Sequence, residues 1–195
     1  MSRVYDTALL QAVVYRPAQD EILAELRRGA ASRVADVGCG TGILAARIAG
    51  TLHPEAVVGC DLSEGMLEVA RVRSERVGWV RCASETLPLP DRSLDAVVSS
   101  HAFHFFDQPA ALAEFGRVLR PGGLVAVVMI NPYTPAGSVA VRATVARMGR
   151  FPDSRAMRQM LLRAGFTEVR QRRVRRMGLP ALSPDLLTVG RAGPA

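Results

Sequence analysis

The sequence predicts an α/β domain with a seven-stranded sheet, mostly parallel, wound on both faces, and with one antiparallel strand near its edge. Three observations predict it. Short apolar runs of strand length alternate with segments whose apolar residues recur at helical spacing, the mark of a parallel sheet with helical crossovers. The stretch Val34-Ala35-Asp36-Val37-Gly38-Cys39-Gly40-Thr41-Gly42-Ile43 reads as a buried strand, a glycine turn and the first turn of a helix. Such a turn points free N–H groups at whatever occupies the carboxyl end of the strand. Finally, the last two strand-like runs are joined by a Pro-containing connection too short for another helix, so they pair as a hairpin.

Each element has a local reason. Residues 1–17 are a leader carrying Tyr5, Tyr15, Arg16 and Pro17. Pro17 suits the start of a helix over 18–28, whose Ile22, Leu23 and Leu26 share a face and which Gly29 stops. A strand over 33–37 and the glycine turn follow, then a helix to about residue 52, broken by His53-Pro54. A second strand over 56–60 ends on Asp61. Ser63 can cap a helix over 64–74, with Met66, Leu67 and Ala70 facing inward. A third strand covers 77–82, a loop with Pro88 and Pro90 covers 83–92, and a fourth strand covers 94–100. A helix over 109–119 leads to Arg120-Pro121-Gly122-Gly123, a tight turn into a fifth strand over 124–130. Residues 131–137 are rich in Pro and Gly. A short helix over 138–150, a clearer one over 154–164, and strands over 167–177 and 185–190 complete the chain.

At 195 residues, with 49% of them hydrophobic, the chain is globular and large enough for one core. We read residues 1–195 as a single domain, with 1–28 as leader and first helix and 131–153 as a slim lid. No apolar run reaches the ~18 residues of a membrane span, and the N-terminus lacks the apolar region of a secretory signal. Cys39, Cys60 and Cys82 are odd in number and lack zinc spacing, which places three small buried thiols in a cytoplasmic setting. All 25 basic residues are Arg. Residues 1–114 carry 11 of them against 15 acids, and residues 115–195 carry 14 against 3. The basic third suits nucleic acid, an acidic substrate or simply a solvated Arg-decorated edge. Few aromatics are interleaved for base stacking, which favours the solvated edge over nucleic acid.

The glycine turn does not fit the G-x-G-x-x-G of nicotinamide and flavin sites, because Ile43 stands where the third glycine belongs. Its neighbours are more informative. Residues 34–42 (VADVGCGTG), 58–71 (VGCDLSEGMLEVAR), 87–98 (LPLPDRSLDAVV) and 117–123 (RVLRPGG), with Ala164-Gly165-Phe166 further on, occur in the order of a known family. On these blocks the chain resembles a class I S-adenosylmethionine-dependent methyltransferase. It is most similar to the small-molecule (methyltransferase type 11) branch that includes the ubiquinone/menaquinone C-methyltransferases. The resemblance implies a Rossmann-like doubly wound fold, S-adenosylmethionine as methyl donor, and S-adenosylhomocysteine as product.

It also implies a cofactor site. The Gly38-Cys39-Gly40 and Gly42 turn offers backbone to the amino acid end of the cofactor, and Asp36 lies near its amino group. Asp61 can accept from both ribose hydroxyls, as an acid does at this place in dinucleotide folds; its other reading is a helix-capping carboxylate. Leu62 and Met66 can pack on the adenine, or belong to the core. Relatives often carry an acid for the adenine amino group where this chain has Ala83, so recognition falls to the main chain of Ala83 and Ser84, the Ser84 hydroxyl or Glu85. Glu85 otherwise anchors the loop. Ser100 and Tyr15 complete the set.

Methyl transfer asks mainly for alignment, desolvation and, for a protic nucleophile, a base. The exit of the fourth strand, Ser99-Ser100-His101-Ala102-Phe103-His104-Phe105-Phe106, offers two imidazoles among three phenyl rings. His101 and His104 are the catalytic candidates, His101 being nearer the strand end; the competing role for His104 is to orient loop backbone. Asn131-Pro132-Tyr133 imitates a base-methylation motif but follows the wrong strand; Tyr133 can still line a pocket. No carboxylate cluster suggests a metal site. The expected acceptor is a small apolar or aromatic molecule, in a pocket left partly open or completed by a second subunit as a homodimer. The alternatives are an RNA or protein methyltransferase using the basic third, and a cofactor-binding protein that transfers no methyl group.

Overall fold

The computed structural model describes residues 15–131, 149–174 and 185–194. Along them run α1 (Arg16–Arg28), β1 (Arg33–Val37), α2 (Ile43–Leu52), β2 (Ala56–Asp61), α3 (Glu64–Arg73), β3 (Gly78–Arg81) and β4 (Leu94–Ser100). A 3₁₀ turn (Phe103–Phe105), α4 (Gln108–Val118), β5 (Leu119–Ile130), α5 (Ser154–Arg163), β6 (Phe166–Arg173) and β7 (Asp185–Ala192) follow. Tyr5, Tyr133 and most of the expected leader and lid lie outside the described residues.

The seven strands form one sheet in the order β3-β2-β1-β4-β5-β7-β6. β1 pairs in parallel with β2 and β4, and only β7 runs against its neighbours, β5 and β6. The expected single antiparallel strand is therefore the one next to the edge. Strand order reverses between β1 and β4, so the connections that follow them pass to opposite faces of the sheet and open a crevice at their carboxyl ends.

Alternation along the strands divides the core in two. Val34, Ala96, Val98, Val128 and Val189 meet α1 and α2 on one face, where Ile22, Leu26 and Ile48 are fully buried. Ala35, Val97, Val125 and Val127 meet α4 and α5 on the other, with Leu112, Phe115 and Met157. By the same period of two, Asp36, Ser100 and Asp185 belong to the α1–α2 face.

Two local details differ from the sequence reading. Gly29 ends α1 with right-handed backbone, and Ala30 takes the left-handed turn at φ 46°. The Arg120–Gly123 turn does not precede β5 but lies within it. Leu119 pairs with Leu94 and Leu124 with Ala96, so four residues bulge opposite Asp95. The bulge is tight: a Cβ on Gly123 would lie 2.8 Å from the Arg120 carbonyl.

Asp95 holds that end of the sheet together. Its Oδ2 accepts the N–H groups of Ser32 and Arg33 at 2.7 and 3.0 Å, and its Oδ1 pairs with Arg120 at 2.9 Å. Beside it, Arg117 donates to the Leu87 and Leu89 carbonyls and to Asp91 and Glu114. Glu114 in turn accepts the Leu87 N–H at 2.6 Å. Among the described residues no helix is long and apolar enough to cross a membrane.

Candidate active site

The carboxyl ends of β1, β2, β3 and β4 converge on the glycine turn. Gly38, Gly40 and Gly42 all have left-handed backbone, at φ 72°, 54° and 77°. Their missing Cβ atoms serve different purposes. A Cβ on Gly38 would lie 2.3 Å from that of Ala102, and one on Gly42 would lie 2.4 Å from the Trp79 ring. Of the three, only Gly40 has no described residue within 4 Å on that side. Two glycines therefore admit neighbouring protein, and the third leaves its Cβ side open.

The expectation of a bed of free N–H groups is corrected in part. Gly38 and Cys39 both donate to the Cys60 carbonyl, Gly42 donates to the Cys39 carbonyl, and Gly40 donates to Asp61 Oδ2 at 2.8 Å. The turn is fixed to β2 by its own donors, so its shape is preorganised.

Asp36 lies directly beneath. It is 1% exposed, and the Ala45 N–H in the first turn of α2 donates to it, capping a helix whose own cap position is Gly42. Among the described residues its Oδ2 has no hydrogen-bond partner. Burial, with Asp61 as a nearby like charge, pushes its carboxyl up to about 7. An orphaned buried carboxylate oxygen at this point fits a cationic ligand group such as an ammonium, which would restore the charged form.

Asp61 ends β2 half-buried. Besides Gly40, it accepts the Ser63 N–H on Oδ1 at 2.9 Å, shaping the entry to α3. Asp61 therefore fixes the glycine turn and the approach to α3, and each oxygen keeps a second lone pair. Leu62 is 66% exposed beside it, whereas Met66 is half-buried; the inward face of α3 is carried by Leu67 and Ala70. After β3, Ala83 is half-buried and Ser84 buried. The Ser84 hydroxyl donates to Glu85 at 2.8 Å, and Glu85 accepts the Asp107 N–H at 2.9 Å. Glu85 thus ties the β3 exit to the β4 exit.

The three thiols gather here. Cys60 donates to Cys82, which lowers Cys82 and, with burial, raises Cys60; burial also raises Cys39. Among the described residues no group of three His, Cys, Asp or Glu could hold a metal ion.

At the β4 exit the two histidines part company. His104 turns inward: its ring stacks on Phe151 at 4.5 Å and touches Phe105 at 4.0 Å, and its carbonyl accepts the Arg150 N–H. Burial lowers it to about 4, so it stays neutral. His101 takes left-handed backbone at φ 56°, uncommon for a residue with a Cβ. That turn brings its Nδ1 to 3.0 Å from Ser100 Oγ and its Nε2 to 3.1 Å from Asp185 Oδ2. The Tyr15 ring meets it edge-on at 5.1 Å. Sequence reasoning missed Asp185. Its signal was a single acid opening the uncharged run Leu186-Leu187-Thr188-Val189, but only the sheet order brings it across the end of β5 to the β4 exit.

The comparisons bear on this site. Residues 35–127 match the family model described as a methyltransferase domain. The chain is 31% identical over 192 residues to the malonyl-[acyl-carrier protein] O-methyltransferase of Methylococcus capsulatus, covering 92% of this chain and 70% of that protein. It belongs to the S-adenosylmethionine-dependent methyltransferases.

A second relative in this family is the ubiquinone/menaquinone biosynthesis C-methyltransferase UbiE of Dinoroseobacter shibae, 30% identical over 194 residues, 84% of this chain and 78% of that protein. A third, the malonyl-[acyl-carrier protein] O-methyltransferase of Hahella chejuensis, is 36% identical over 117 residues, but the match spans only 42% of its length. Two solved methyltransferases share the fold. One, in a complex with the Haloferax volcanii Trm112 methyltransferase activator, superposes with a TM-score of 0.75 at 19% identity, over 91% of this chain and 96% of that one. The other is a Haemonchus contortus phosphoethanolamine N-methyltransferase in complex with S-adenosyl-L-methionine, with a TM-score of 0.74 at 19% identity, over 90% and 53%. This S-adenosylmethionine-dependent methyltransferase keeps its glycine turn, Asp36 and Asp61 at one end of the sheet, and Ser100 and His101 beside them at the β4 exit.

Proposed function

We propose that the enzyme methylates a small acceptor with an apolar or aromatic body, and that His101 takes the acceptor's proton. The observation that carries this reading is the β4 exit, where a paired imidazole sits next to Tyr15, with the rings of Phe105 and Phe106 on the same loop. Bound S-adenosylmethionine supplies a methyl carbon activated by its sulfonium.

The residues of the chain divide the remaining work. Gly40, with open space on its Cβ side, lets the cofactor approach the turn, and Asp36 meets the ammonium with its orphaned oxygen. Asp61 accepts from the ribose hydroxyls. Leu62 and Met66 flank the adenine, and the main chain of Ala83 and Ser84 reads its edge, because the Ser84 hydroxyl already serves Glu85. His104, neutral and stacked on Phe151, holds the loop that carries the phenyl rings.

The test is S-adenosylhomocysteine release from S-adenosylmethionine, with phenols, 1,3-diketones, acyl-carrier-protein thioesters and transfer RNA offered in parallel. Turnover with the small acceptors supports the reading. Transfer confined to RNA or to the carrier protein overturns it.

A further inference from the structure

We infer that Ser100, His101 and Asp185 form a proton relay in which Asp185 positions the imidazole and the Ser100 hydroxyl meets the acceptor. The inference rests on the methyl-transfer reading above and adds the path of the proton. The two outer members come from distant parts of the chain. Ser100 ends β4, and Asp185 opens β7 opposite Ile130, the last residue of β5. His101 spans the end of β5 between them, its own N–H held by the Val128 carbonyl at 2.9 Å.

The chemistry of the partners fixes the tautomer. A carboxylate only accepts, so the 3.1 Å contact to Asp185 places a proton on Nε2. In the neutral ring Nδ1 is then the acceptor, and the hydroxyl 3.0 Å away donates to it. The Nδ1 lone pair therefore faces Ser100 and is reached through it. The pair is well shielded, with the His101 side chain 10% exposed and that of Asp185 2% exposed. Ser100 itself is only half-buried and stands at the mouth of the crevice. The left-handed backbone of His101 is uncommon for a residue with a Cβ, and the contacts of its ring and its N–H hold it there.

The step balances. The acceptor's proton passes to Ser100 Oγ as the hydroxyl proton passes to Nδ1. The acceptor–methyl bond forms while the methyl–sulfur bond breaks, its electron pair staying on sulfur. The positive charge of the donor ends on the imidazolium, which Asp185 stabilises. Among the described residues, the charged and titratable groups around His101 include Asp185 from β7, His104 from its own loop and Tyr15 from the start of α1.

The chain has three histidines, so imidazole resonances are few enough to follow. In the full-length protein labelled with ¹⁵N-histidine, His101 is expected as the Nε2–H tautomer, and D185N is expected to change that pattern while His53 is unmoved. A His101 signal in the Nδ1–H form, or one indifferent to D185N, overturns the relay. In parallel, methyl transfer to 4-methylphenol, which must lose its proton, is compared with transfer to 4-nitrophenol at a pH where it is already ionised. S100A and D185N are expected to lose at least about tenfold more rate on the first than on the second, with D185E recovering part of it. Equal losses on both phenols overturn the relay. Wild-type protein that methylates no small acceptor overturns the reading beneath it instead.

Discussion

Asp36 shows how one buried group couples the cofactor site to stability. Its carboxyl stands at about 7 in the fold against 3.8 as the ordinary value. A raised acid contributes stability fully present below pH 3.8 and lost as the pH climbs through 7, because the native state holds a proton that the unfolded chain has released. D36N removes that slope. Its amide oxygen keeps the Ala45 contact, while its N–H group is left unpaired at a cost of about 1–2 kcal/mol. The stability difference between D36N and wild type is therefore expected to shift in favour of D36N by roughly 2–3 kcal/mol between pH 5 and pH 8. Urea unfolding at the two values measures it. Parallel curves for the two proteins would place the charge elsewhere. On the proposed role, the same variant weakens S-adenosylmethionine binding above pH 7, where the wild-type carboxylate is charged.

At the scale of elements, the glycines of the β1–α2 turn and of β2 answer to one side chain. Trp79 of β3 lies over Gly42 and Gly59, and a Cβ on Gly59 would sit 2.4 Å from its ring. Its Nε1 donates to the Ser74 carbonyl at 3.1 Å, so the ring cannot easily swing away. Gly59 is not among the residues with positive φ, so its substitution tests packing alone. G59A is expected to cost roughly 1–3 kcal/mol by overpacking. Most of that cost should vanish in a W79L background, which a double-mutant cycle of thermal unfolding reads directly. Additive costs would show that β2 itself demands glycine there. The same element gives Gly42 a packing reason to lack a Cβ, since Trp79 and Ala70 fill that side.

Across the whole molecule, two of the four blocks that carry the family resemblance serve the scaffold. Asp91, Asp95, Arg117 and Arg120 are knitted together at the amino ends of β1, β4 and β5, the end of the sheet opposite the glycine turn. R117M is expected to lower stability by about 2 kcal/mol, since it breaks several charge-assisted hydrogen bonds and leaves Glu114 without its cationic partner. Affinity for S-adenosylhomocysteine should stay within about twofold, followed by the fluorescence of the single tryptophan, Trp79. A large loss of affinity with unchanged stability would move this cluster into the site. The basic C-terminal third is likewise partly internal. Arg172 pairs with Glu21 and Glu25 of α1, and Arg191 donates to the Gly122 carbonyl.

The sequence by itself determined the donor chemistry and the order of elements. A strand, a glycine turn and a helix form a local unit, and Asp36, Asp61 and the strand ends can be read by counting along the chain. Only the tertiary structure decided which residues meet across it. The partner of His101 is 84 positions away, and the sheet order alone, with β5 between β4 and β7, makes them neighbours. The inward turn of His104 depends on Phe151, and the reason for Gly42 depends on Trp79. Periodicity records which face of an element is buried; it carries no record of what that face is buried against.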